Sequence, residues 1–268
     1  MWRASGRGSG SDHRKTEQGG RRTSWPVVFA AVIVATLETI PLALQDYMPG
    51  IATAIGCWFL GRFVRSVAPL FYPVAIAGGV SVACGGFAKA TWKLIRAVDG
   101  PDLKWLDASL FPFLAWGFAL LTWALIHVDF TETGSTPPSR GLWKVPLGIA
   151  ASLSVLAFGL SATTDWSRAW VIPMIGLMTL GDLSVIVMGV KMARRRNLNA
   201  AAVLLVVNIA SVLLLTRLAS VDQTRALQWI EQIGNTIGNA AFAVAWWMIL
   251  GRPLMRPATP RLAASVSA

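Results

Sequence analysis

Charge is what this sequence has least of. Only 14% of its 268 residues are Asp, Glu, Lys or Arg, where an ordinary soluble domain carries about 25%. That shortage excludes a normally solvated surface. Cysteine is nearly missing as well. Cys57 and Cys84 fall in consecutive apolar segments, and pairing those segments antiparallel puts the two thiols at different depths, so no disulfide is expected. Two cysteines and two histidines at such spacing are too few for a thiolate or imidazole metal site. Neither a metal nor a cofactor is expected. The sequence also lacks a Gly-x-Ser-x-Gly elbow, a His-Glu-x-x-His pair and a phosphate-binding glycine loop, each of which would have announced a known chemistry. No lysine lies between Leu227 and Leu250 to carry a retinal Schiff base. No catalytic residue is assigned.

What is present is apolar length. Hydrophobic residues make up 54% of the chain, in runs of roughly 20 residues that match about 30 Å of hydrocarbon at about 1.5 Å per helical residue. The expected fold is an all-α polytopic membrane bundle, one domain over residues 25–250. It is flanked by a Gly, Ser and Arg-rich tail at 1–24, too polar to bury a core, and a short basic tail at 251–268. Eight helices are expected: Pro26–Gln45, Pro49–Arg65, Pro69–Ala90, Trp105–His127, Trp143–Ala162, Ala169–Val190, Leu198–Leu218 and Leu227–Leu250. The second is the shortest apolar run, and the count drops to seven if Pro49–Arg65 is re-entrant.

Lys and Arg favour the cytoplasmic side of a span. Eight spans with both termini inside place seventeen of the basic residues on that side and seven outside. With seven spans, the run from Lys191 to Arg196 and the C-terminal tail would both face outward. The sequence therefore favours eight spans in a cell inner membrane with both tails cytoplasmic. The net charge of +11 does not suggest nucleic acid, because the basic residues sit between apolar spans and not on a soluble face. The expected partners are the lipid bilayer and a membrane protein, a second copy of the chain included. Lys89, Lys93 and Arg96 resist this pattern. On one helical face at the outer end, they either snorkel to the interface or form an anion-attracting rim.

Ionisable groups at depth are costly and face the bundle interior or a partner. Glu38 and Asp182 lie deep in the first and sixth candidate spans, and Asn208 lies at the middle of the seventh. Glu231, Asn235 and Asn239 recur every four residues, a polar stripe on one helix face. One expectation is a polar cavity open to the outside, lined by Glu38, Lys89, Glu231, Asn235 and Asn239 and continued inward by Asp182, which would bind or translocate a small solute or proton. The alternative is a fastener, with Glu38 tied to Lys89 and Asp182 to Asn208, in a non-transporting subunit or a sensor acting through a partner. A third is a lipid-modifying enzyme using Glu38, Asp182 or the His127, Asp129 and Glu132 group. Gly79 and Gly86, and likewise Gly234 and Gly238, are expected to let neighbouring helices approach. The double glycines of the third span leave a broken, ligand-lining helix as the other option.

Overall fold

The computed structural model describes residues 40–135, 144–163, 169–218 and 224–252, and these are helical with no strand. In chain order the described residues from Tyr47 onward form the α-helices α1 Tyr47–Val67, α2 Tyr72–Ala97, α3 Lys104–Ala108, α4 Leu110–Thr133, α5 Lys144–Thr163, α6 Val171–Arg195, α7 Asn199–Leu218 and α8 Arg225–Leu250. Among the described residues, four helical stretches are long and apolar enough to cross a membrane: Pro69–Ala97, Lys104–Thr133, Val171–Arg195 and Ala226–Leu250. Each of the long helices also turns large apolar side chains outward, among them Ile55, Val80, Phe113, Phe158, Leu180, Leu213 and Ile237. Such a surface suits lipid and not water.

The expected reversal between Gln45 and Pro49 does not occur. Residues 40–45 are already helical, Asp46 keeps right-handed helical angles (φ −61°, ψ −19°), and its N–H reaches Leu42 O at 3.3 Å. The chain therefore runs on in the same direction into α1. Pro49 removes a backbone donor there, which interrupts the helical hydrogen bonds without turning the chain back. Most of the first candidate span, including Glu38, lies outside the described residues.

Six helices close a ring in the order α1, α2, α4, α6, α7, α8 and back to α1, with α5 on the outside against α6 and α4. Neighbours along the chain alternate in direction, which makes α1, α4, α6 and α8 parallel. The rungs make this explicit. Phe63 lies tilted against Trp246 at 5.8 Å between centroids, Thr53 bonds Asn239, and Gln45 bonds Thr236, so α1 and its preceding turn follow α8 in the same sense. Asp46 pairs with Lys93 and Cys57 packs on Gly79, so α2 runs the opposite way.

Helix α2 is unbroken from Tyr72 to Ala97, which removes the ligand-lining alternative. Its paired glycines serve two neighbours. A Cβ on Gly79 would stand 2.9 Å from Cys57 Cβ on α1, while one on Gly78 would stand 2.8 Å from the Gly117 carbonyl of α4. Backbones this close are how membrane helices gain dispersion contacts where lipid offers no hydrophobic drive.

The core is concentrated at one end. Leu60, Val64, Leu121, Leu125, Val128, Val185, Met192, Leu205, Trp246 and Ile249 are fully buried there. This basic end carries Lys191 to Arg196 and Arg252. At the opposite, polar end, α8 from Ala226 to Thr236 has no buried residue among those described.

Candidate functional site

At the basic end the carboxylates of α4 are taken up by cations of α6. Asp129 lies 2.7 Å from Lys191 and 2.6 Å from Arg195. Glu132 pairs with Arg196, and the two side chains are only 3% and 2% exposed. Arg196 also donates through Nε to the Arg252 carbonyl and through Nη1 to the Met192 carbonyl, each at 3.0 Å, and its guanidinium lies over the Phe63 ring. All three guanidinium nitrogens thus donate, in a planar fork that a lysine could not reproduce. His127 takes no part. It is stacked on Phe71 at 3.8 Å between centroids, with Nδ1 2.9 Å from the Trp123 carbonyl. Asp129 and Glu132 are thus committed to α6, and the expected His and carboxylate group does not come together.

The polar end is built where α1, α2 and α8 meet. Asp46 pairs with Lys93 at 2.6 Å, Arg96 approaches Asp102 at 3.8 Å, and Tyr47 shares a hydrogen bond with Thr91 at 2.9 Å. Lys89 is surrounded by the fields of Asp107, Asp46 and Glu231. Just before α1, burial pushes the Asp46 carboxyl above the ordinary carboxylate range, against the pull of Lys93 and Lys89. The three basic residues read as a rim in the sequence are therefore faced by acidic partners.

The stripe on α8 faces α1. Thr53 Oγ1 donates to Asn239 Oδ1 at 2.9 Å, Asn239 Nδ2 donates to Asn235 Oδ1 and to its carbonyl at 2.8 Å, and Gln45 Nε2 donates to Thr236 Oγ1 at 3.1 Å. One face round, a Cβ on Gly238 would meet Ser211 Cβ at 2.9 Å, and one on Gly234 would meet Leu215 at 3.3 Å. Asn208, buried on α7, donates to the Gly238 carbonyl at 2.9 Å. The expected tie between Asp182 and Asn208 is replaced by this one, because Asn208 is turned toward α8. Gly86 meets Gly50 of α1, whose Cα lies 3.6 Å from the site of an added Cβ.

Asp182 lies half-buried at the middle of α6. Among the described residues it is the one charged side chain between the two ends, and its carboxylate makes no hydrogen bond there. Its level follows from helix geometry. The parallel helices α6 and α8 meet where Gly189 backs onto Trp246 and again where Arg196 bonds Arg252. Two turns before the first contact, on the same faces, are Asp182 and Asn239. Buried Cys57 lies within the field of Asp182, and Thr53 is one turn from Cys57 on α1. Lys89, Glu231, Asn235, Asn239 and Asp182 thus descend from the polar end to the middle, where Trp246, Leu60 and Leu121 close the interior. Thr53 and Asp46 belong to the group but were not singled out in the sequence. Among the described residues no cluster of His, Cys, Asp and Glu suits a metal ion.

No family model, curated protein or solved structure matches the chain.

Proposed function

We propose that the chain is a multi-pass protein of a cell inner membrane that binds or translocates a small solute or a proton along the polar face from Lys89 and Glu231 to Asp182. Seven long helices alternating in direction make the crossings. The basic end is placed in the cytoplasm, because Lys and Arg collect on that side of spans. An eighth crossing with both termini inside would have to be made before residue 40. Only about 14 residues separate Trp25 from Ile40, about 21 Å of helix, so seven is the proposed count, and keeping the basic end cytoplasmic then puts the N-terminal side of α1 outside, in place of the expected arrangement with both termini inside.

The observation that carries this reading is Asp182. A carboxylate in mid-span costs about 2.5 to 3.5 kcal/mol on insertion scales, and here no hydrogen bond from the described residues offsets it. Groups left in that state inside membranes mark ion and proton paths. The test is flux into liposomes containing the purified protein, read with a pH-sensitive dye under an imposed potential. Wild type should conduct and Asp182→Asn should not, while both elute as the same folded species. Equal flux in the two, or no flux of protons, sodium or potassium in either, contradicts translocation through Asp182.

A second reading rests on a different observation. The bonds from Thr53 to Asn239, Asn208 to Gly238 and Gln45 to Thr236 each join two helical segments, as a non-transporting membrane subunit would need. In that case Asp182→Asn raises stability and nothing passes in the wild type.

A further inference from the structure

The free lone pairs and the spent donors at mid-depth differ in sign. Thr53 gives its one hydrogen to the Pro49 carbonyl and to Asn239 Oδ1. Asn239 directs its amide hydrogens at the two oxygens of Asn235. The capacity that remains at this level is accepting capacity: the Asp182 carboxylate, and lone pairs on Thr53 Oγ1 and Asn239 Oδ1. The nearest cations are remote. Lys89 is ten residues along α2 from Gly79, which packs at the level of Cys57, and ten residues of helix cover about 15 Å. Lys191 is nine residues beyond Asp182 and Arg62 nine beyond Thr53, each about 13 Å along its helix; Lys191 is committed to Asp129 and Arg62 lies over the Trp58 ring. The entrance is no more welcoming to an anion, since Lys93 and Arg96 are held by Asp46 and Asp102.

We infer that the species taken up at Asp182 is a small monovalent cation, a proton or an alkali-metal ion, and not an anion. The inference rests on the path proposed above and names what travels in it. Carboxylate, hydroxyl and amide oxygens are hard donors of the kind that hold alkali and alkaline-earth ions. Asp182 supplies the single negative charge that a monovalent ion or one proton neutralises. Thr53 and Asn239 fix where it sits.

A hydrophobic carbodiimide reacts with a protonated carboxyl inside a membrane, so labelling of Asp182, mapped by mass spectrometry on the full chain in liposomes, reports occupancy without requiring flux. Labelling should fall several-fold as pH rises. At fixed pH it should fall again when sodium or potassium replaces choline if the ion is an alkali metal, and stay unchanged if it is a proton. Exchanging chloride for gluconate should have no effect. Thr53→Val should weaken protection by the alkali ion, or shift the pH of half-labelling, while the protein stays folded. Protection without flux keeps the cation site and removes the path. Asp182 that never labels in folded protein, or labelling that responds to the anion and not to pH or cation, overturns the inference. So does an anion flux that Asp182→Asn leaves intact.

Discussion

The two ends of the bundle hold similar side chains in opposite states. At the basic end Glu132 and Arg196 are buried together and each nitrogen of the guanidinium donates to an acceptor. At the polar end Lys89, Lys93 and Glu231 stay partly accessible, and the α8 stripe is tied to α1 by single hydrogen bonds. Charges at the first end are locked by geometry that no rearrangement preserves. Lysines at the second keep contact with solvent, which a path for a solute requires and a structural clamp does not.

That contrast predicts an ordered set of losses. Removing one partner of the basic-end pair, by Arg196→Ala or Glu132→Ala, should cost about 3–5 kcal/mol, because it strands a buried charge. Replacing both with Leu and Met should recover much of that loss. Unfolding in detergent measures both, and a double variant no better than either single one would break the distinction between the ends. Thr53→Val and Asn208→Leu should each cost only about 0.6 kcal/mol, the usual size of a polar contact between membrane helices. A loss several times larger would make the polar end a clamp too.

The smallest effect is one of pH. Burial raises the Asp46 carboxyl from its ordinary value near 3.8, so the folded state holds that proton more tightly than the unfolded chain does. The contribution of Asp46 is therefore most favourable below the ordinary value and is lost as pH rises through the raised one. Relative to Asp46→Asn, wild type should lose a little stability across that window. A difference that grows with pH would mean that Lys93 outweighs burial.

Much of the fold is legible in the sequence, and the misses share a cause. Apolar runs mark the bilayer, but helices do not stop where hydrophobicity stops. Helix α4 continues past His127 to Thr133 and closes on Gly134 at φ 68°, a left-handed stop that glycine accommodates. Helix α6 continues past Val190 to Arg195. Those added turns bring Asp129, Glu132 and the cations together, so the strongest polar lock was invisible to a search of apolar segments. The stretch 46–48, between Gln45 and Pro49, read as a connection because proline usually breaks helices, yet Asp46 keeps helical angles. The spacing of Glu231, Asn235 and Asn239 fixed a stripe but not its partner. Which helix it faces is set by packing between segments nearly 190 residues apart, as Thr53 and Asn239 are. The Gly78 and Gly85 side of α2 was legible in principle, since each double glycine offers one residue to each neighbour.

Thiol accessibility tests the contrast between the ends most directly. With Cys57 and Cys84 replaced by alanine, single cysteines at Asn235, Asn239, Leu60 and Met192 can be exposed to a membrane-impermeant maleimide from either side of oriented vesicles. Positions 235 and 239 should react from the side opposite Arg252, and 60 and 192 from neither side. Equal protection at all four, or reaction of 235 and 239 from the Arg252 side, would contradict a path that enters at the polar end and stops above Trp246.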